Sequence, residues 1–315
     1  MSFIDEVMSH KELRDKPPIL IDIGSSGELD KKWRTFAKYS ICIAFDPDSR
    51  EMGYINRQKK YYKALHVLPA IVHESLVGDV NFYLTQSPYC SSTLPADEEA
   101  LAHWKFADAF KLLKKVSLPA TTLQQTFKEL NIEYVDWFKT DSQGTDLKLF
   151  KSMGDMYCNN VIVAEFEPGL IDAYKGEDKA WHVLSFMETK KNFILTTCKV
   201  LGDRYLPDWL CKQVYPSRQD GQTPKSIATS PAWVELTFMN TLNQGLFSDR
   251  QHLLAWVFAM TERQYGLALA IAEKGARQSK DPIFKRMSEK ARQSITWKKT
   301  PWWYPIARAI YLKFK

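Results

Sequence analysis

"LIDIGSSGELDKKW", Leu20 to Trp33, joins an apolar run to a row of helix formers through an acid and two glycines. Ile19, Leu20, Ile21 and Ile23 suit a buried strand, and Lys31 to Tyr39 has no helix breaker, so the stretch reads as strand, turn, helix. In an open parallel sheet such a junction lies beyond the carboxyl end of the strand, where helix amides point outward and ligands bind. Gly24 and Gly27 let the backbone turn tightly and approach a ligand, since no Cβ stands in the way. Alone, the pattern is equally that of a plain glycine turn.

Outward from this junction, short apolar runs alternate with helical ones from Ile19 to Cys198. Further strands are predicted at Ile41–Asp46, Ala64–Val72, Val80–Thr85, Tyr134–Lys139, Val161–Phe166 and Asn192–Thr197. Helices are predicted at Leu123–Leu130, Leu147–Met153 and Lys179–Thr189. The alternation argues for an α/β fold with a mostly parallel sheet and helices on both faces. Residues Tyr215 to Pro231 are polar and rich in Pro and Gly, as a surface loop or linker is. Beyond them the pattern is helical, with Asp249 as cap for Arg250–Arg277 and a last helix at Pro282–Ile295. This divides the chain into residues 1–200, carrying the sheet, and residues 201–315, a linker and helical C-terminal extension.

The 315 residues, 45% hydrophobic and 25% charged, have the composition of an ordinary globular protein. The N-terminus carries acids and no long apolar core, and the most apolar later stretch, Leu253 to Ala272, is interrupted by Glu262, Arg263 and Gln264. A cytoplasmic location is therefore expected. Five cysteines without a CxxC pair and six histidines without HxxxH or HxH spacing argue against a zinc site or disulfide framework. The net charge of +6 comes from the end of the chain, where Lys280 to Lys315 holds ten Lys or Arg against two acids. Basic residues mixed with Trp and Tyr there suit packing on the domain, stacking on glycan rings or peripheral contact with an anionic membrane surface. Nothing supports a nucleic-acid groove.

The second strand ends at "AFDPD", which sets Asp46 at a carboxyl tip about 20 residues after the first motif, where an acid accepts hydrogen bonds from ribose hydroxyls. A dinucleotide site prefers G-x-G-x-x-G; one glycine is missing here, and Glu28 would repel a pyrophosphate. S-adenosylmethionine, cationic at sulfur and without phosphate, tolerates that acidity. A third stretch, "WFKTDSQGTDLKLF" (Trp137 to Phe150), sets Asp141, Ser142 and Gln143 in a loop above the same sheet edge. Asp141 there suits a general base, or equally a group that binds the cofactor or orders the loop. Paired with Glu165 it would also suit magnesium, although no spacing argues for a metal. His73 and His182 offer imidazoles for acid–base work but read as ordinary surface or core histidines. The loop "SPYCSSTLP" (Ser87–Pro95) is either a crossover or a lid that contacts a sugar.

Together these stretches, with "TTLQQTF" (Thr121–Phe127) and "AEFEP" (Ala164–Pro168), resemble the FkbM-like family of S-adenosylmethionine-dependent methyltransferases over Ile19 to Leu195. The resemblance implies a class I methyltransferase (Rossmann-like) fold and methyl transfer to a hydroxyl, often of a sugar or glycan precursor. It implies that Asp22, Gly24, Ser25 and Gly27 line the cofactor's methionine end and Asp46 its ribose. Asp141, Gln143 and Gly144 would stand near the transferring methyl, with Asp141 and Glu165 catalytic and Tyr89, Ser91, Ser92 and Tyr174 facing the acceptor. Asp46 replaces a usual Glu, Gln124 an Asp and Glu28 a Gly. The alternatives are a non-catalytic glycan- or membrane-associated adaptor that keeps the fold, and a nicotinamide-dependent oxidoreductase.

Overall fold

The computed structural model describes residues 2–25, 29–48, 57–217 and 226–295. Gly27, Glu28 and the aromatic end of the basic tail, each given a role above, lie outside these residues. Ten strands are present: β1 (Ile19–Ile23), β2 (Ile41–Phe45), β3 (Ala64–Leu68), β4 (Ile71–Val72), β5 (Gly78–Thr85), β6 (Leu112–Thr121), β7 (Trp137–Thr140), β8 (Val163–Phe166), β9 (Phe193–Asp203) and β10 (Ser230–Asn240). Seven form one sheet in the order β3-β2-β1-β7-β8-β10-β9, and β4-β6-β5 form a second, small sheet. In the large sheet β1, β2, β3, β7 and β8 run parallel, whereas β10 is antiparallel to both β8 and β9. The chain winds outward from β1 through β2 to β3 and then returns to lay β7 on the other flank of β1. That reversal makes the β1–β7 junction the topological switch point, where such sheets bind ligands.

Period-2 alternation sorts the strands' side chains onto two cores. Ile19, Ile21 and Ile23 join Phe138, Phe166 and Phe238 on one face. Leu20, Trp137 and Met239 join Trp33, Phe36 and Trp256 on the other. The first face is covered by helices α4 (Leu123–Glu129), α5 (Asp146–Ser152), α6 (Asp155–Asn160) and α7 (Ala180–Glu188). The second is covered by α1 (Phe3–Met8), α9 (Asp249–Thr261), α10 (Tyr265–Gln278) and α11 (Ile283–Ser294). The expected α/β architecture with helices on both faces is thus present.

Several expectations require correction. Lys31–Tyr39 is not an α-helix but two 3-10 turns, Lys31–Thr35 and Ala37–Tyr39, broken at Phe36. Their spacing drives Trp33, Phe36 and Ala37 into the second core. The run Ala64–Val72 divides at Pro69, which lacks a donor for the ladder, so that β4 leaves for the small sheet. β5 pairs antiparallel with β6, a strand the sequence reading missed because Lys114, Lys115 and Ser117 break its apolar run. The boundary at residue 200 cuts through β9. β10, from the supposed linker and extension, lies inside the large sheet, and α9, buried from His252 to Ala259, fills the second core. The cap of α9 is Ser248 rather than Asp249, in a capping box with Gln251. Arg263, at φ 57°, splits the predicted long helix into α9 and α10. Among the described residues no helix is long and apolar enough to cross a membrane.

Candidate active site

Beyond the carboxyl ends of β1, β2 and β7 lies a cleft of about 610 Å³, bounded by Gly24, Asp46, Asp48 and Asp141, with Ile71, Val72 and Phe82 of the small sheet as its apolar wall. Tight local geometry builds it. The amides of Gly24 and Ser25 both donate to the Phe45 carbonyl, at 3.0 and 3.2 Å, and the Asp141 amide donates to the Ile23 carbonyl at 2.9 Å. Gly24 has φ +77°, and a Cβ there would stand 2.0 Å from the Asp141 carbonyl oxygen, so the β7 loop crosses where only glycine leaves room. Asp46, 2% exposed at the tip of β2, accepts from the Asp48 amide at 2.8 Å.

A second cleft, of about 980 Å³, opens on the other side of the same loop between the Tyr89–Cys90 turn, the Lys105–Phe110 turn and the start of β10. Phe106, Phe110, Tyr174 and Trp233 form its rings, and Asp141, Glu167, Glu177 and Asp203 its acids. Tyr89, Asp141 and Gln143 line both clefts, so the two meet at one carboxylate. Among the described residues, no Lys, Arg or His lines either cleft.

The loop that carries this carboxylate is held from beneath by Asp146, which is fully buried. Asp146 Oδ1 accepts from the Thr140 hydroxyl at 3.0 Å, the Ser142 amide at 2.9 Å and the Ser142 hydroxyl at 2.6 Å, and Oδ2 accepts from the Glu167 amide at 2.9 Å. Gln143 takes a left-handed φ of 56°, and its Nε2 donates to Asp141 Oδ1. Its own Oε1 lies 2.7 Å from the Tyr174 hydroxyl, which also lies 2.9 Å from the Cys90 carbonyl. Burial lifts the Asp141 carboxyl to about 7, against the pull of Lys139 and the Gln143 hydrogen bond. Burial, then the neighbouring charges of Asp141, Glu235 and Asp146, lifts Glu167 to about 9.

Not every residue singled out in the sequence faces these clefts. Asp22 is wholly buried and lines neither. Its Oδ1 accepts from Lys139 Nζ at 3.1 Å, while Oδ2 has no partner among the described residues. Burial opposes the charge on Lys139, but Asp22, Asp141 and Glu165 together hold it protonated above the ordinary lysine range. Glu165 also lines neither cleft. It is paired with Lys32, which reaches Glu262 at 3.2 Å and Asp30 at 3.4 Å, so the acid placed by sequence beside the acceptor is a structural ion-pair partner. The Ser25 hydroxyl donates to the Phe45 carbonyl, and Ser25 lines neither cleft. Ser92 is buried, donates to the Gln143 carbonyl at 2.7 Å and accepts from the Leu94 amide at 3.0 Å, which makes it a strut of the loop. Ser91 faces the first cleft rather than the second, whereas Gly144 and Tyr174 face the second.

Sequence reasoning missed Lys139, Asp146 and Glu167 although all three stand inside stretches it quoted. Glu167 follows the last residue of β8, so strand alternation does not predict its direction. Phe106, Phe110 and Trp233 carry no sequence pattern at all. Among the described residues no group of three or more His, Cys, Asp or Glu is gathered to hold a metal ion. Comparison with family models and with curated proteins returns no match for this chain.

Proposed function

We propose that the chain is an S-adenosylmethionine-dependent O-methyltransferase that binds cofactor in the first cleft and a hydroxyl-bearing acceptor, a sugar or glycan unit, in the second. The observation that carries this reading is the meeting of two clefts at Asp141, with three carboxylates and, among the described residues, no cationic side chain lining the first. Such a lining disfavours a pyrophosphate and suits a sulfonium nucleoside. Asp46 would take the ribose, Ile71, Val72 and Phe82 the base, and the backbone turn at Gly24 the amino-acid end. The reversed strand β10 within an otherwise parallel sheet is compatible with the class I methyltransferase fold that the motifs resemble.

Bound in that cleft, the cofactor supplies an electrophilic methyl group. The chain's own work is to place an acceptor hydroxyl at the shared wall and to remove its proton. Asp141, ionised above about pH 7, accepts that proton as the oxygen gains its methyl. Gln143 fixes the carboxylate's rotamer, and Tyr174 fixes Gln143, so the base is oriented before substrate arrives.

Calorimetric titration with S-adenosylhomocysteine tests the cofactor half. Binding in the micromolar range is expected, weakened about tenfold or more in Asp46→Ala by loss of charge-assisted hydrogen bonds. No heat at millimolar ligand, or an unchanged affinity in the variant, would overturn the reading.

A further inference from the structure

The second cleft has a chemical bias of its own. Its rings form one continuous strip: Trp233 contacts Phe106 at a centroid distance of 6.1 Å, Phe106 contacts Phe110 at 5.6 Å, and Phe110 contacts Tyr174 at 5.5 Å. The strip ends at the Tyr174 hydroxyl, and therefore at the Gln143–Asp141 pair. A flat, partly apolar ring laid along it would be delivered to the base.

The charges beside this strip are not balanced. Glu177 is neutralised by Lys179 at 2.7 Å, and Asp203 has Arg204 at 3.6 Å. Lys139 is paired with Asp22 at 3.1 Å and pulls on Asp141 and Glu167 only from beyond ion-pair distance. Asp141 and Glu167 have no cationic side chain within ion-pair distance among the described residues, yet both face a half-buried cavity. Among the described residues the Glu167 side chain has no hydrogen bond, while its amide donates to Asp146 Oδ2. Burial first, and then the charges of Asp141, Glu235 and Asp146, push the Glu167 carboxyl upward. An anionic ligand would be repelled by Asp141, and of the three charge types only a cation gives Glu167 a partner against which to release its proton.

Resting on the reading of this cleft as the acceptor site, we infer that the acceptor is cationic: an amino-sugar-like unit whose ring lies on the Trp233–Phe106 strip and whose ammonium answers Glu167, with its hydroxyl at Asp141. Aromatic faces favour both sugar C–H surfaces and ammonium groups, so the ring strip and the carboxylate select the same ligand.

The test is ligand-observed NMR on the full chain, with saturating S-adenosylhomocysteine, using D-glucosamine, D-glucose and D-glucuronate near neutral pH. These share a ring and differ in charge. Glucosamine is expected to bind roughly tenfold more tightly than glucose, the worth of one charge-assisted hydrogen bond, and glucuronate more weakly than either. Glu167→Gln should abolish the preference for the amine, bringing glucosamine to the affinity that the same variant shows for glucose. Trp233→Ala should weaken glucosamine and glucose alike. Because Glu167 holds a proton until a cation arrives, glucosamine binding should also release protons, seen as a dependence of the binding heat on buffer ionisation. Equal binding of amine and neutral sugar, preference for glucuronate, or no binding of any of the three would overturn the inference. Retention of S-adenosylhomocysteine in the same samples separates that result from failure of the cofactor reading. If the homocysteine ligand fails while the amine preference stands, the cation site remains and the methyl-transfer reading falls.

Discussion

Asp141 carries two opposed demands, because the burial that lifts its carboxyl to about 7 makes it a useful base and a poor contributor to stability. Methyl transfer is expected to rise with pH and level off above about 7, and Asp141→Asn should lower it by about 10²–10⁴-fold and flatten the profile. The stability effect has the opposite sign. A raised carboxyl favours folding below its unfolded value, and that contribution is lost as pH rises to about 7. Asp141→Asn should therefore melt above the wild type at about pH 8, with the gap closing toward pH 4. Tyr174→Phe removes the donor that restrains Gln143, and Gln143 is one of the groups that hold Asp141 down. The variant should shift the activity profile to higher pH, whereas a purely structural role would lower activity equally at every pH. At this scale the sequence was informative where chemistry coincided with backbone need. Gly24 and Asp46 were readable from the strand-turn pattern, whereas Glu165 and Glu167 were not distinguishable until the end of β8 showed which of them turns toward the cleft.

Helix α9 is fixed to the sheet by one buried pair at the end opposite the site. Arg250 Nη1 and Nη2 donate to Asp136 Oδ1 and Oδ2 at 2.8 and 2.7 Å, and its Nε donates to the Lys16 carbonyl at 2.9 Å. Asp136 in turn accepts from the Ile19 amide at 2.9 Å, so the pair joins the entrances of β1 and β7. Arg250→Ala should cost about 3–5 kcal/mol in urea unfolding by stranding the Asp136 charge, and Asp136→Asn with Arg250→Met should cost less than the single change. Elements were legible in proportion to their periodicity. β1 was located to the residue because its apolar run is bounded by Pro18 and Gly24, and α7 to within one residue at either end because Ala180, Val183 and Met187 recur at helical spacing. The two 3-10 turns were not distinguished from an α-helix, since Trp33, Phe36 and Ala37 satisfy either pattern. β6 was invisible because its exposed face carries lysines, and β10 because its partners β8 and β9 are distant in sequence.

The whole molecule depends on both ends of the described chain. β10 supplies the register between β8 and β9, and α9 fills the core beneath them, so the segment from 201 is part of the same body as the sheet. A chain ending at residue 200 is expected to lack cooperative thermal unfolding, checked by near-ultraviolet circular dichroism; a sharp transition would show that the first 200 residues fold alone. The fold class was readable because alternation of strands and helices is a local signal. The closure of the sheet was not, because antiparallel insertion of a late strand is a long-range choice set by packing. The placement of the two clefts around Asp141 follows from that closure, since β10 contributes Trp233 and β7 contributes the loop. Hydrogen exchange with and without saturating S-adenosylhomocysteine tests this placement most directly. Slower exchange is expected at residues 23–25, 45–48 and 141–145, with residues 124–133 unchanged. Protection confined to any other surface, or none anywhere, would contradict it.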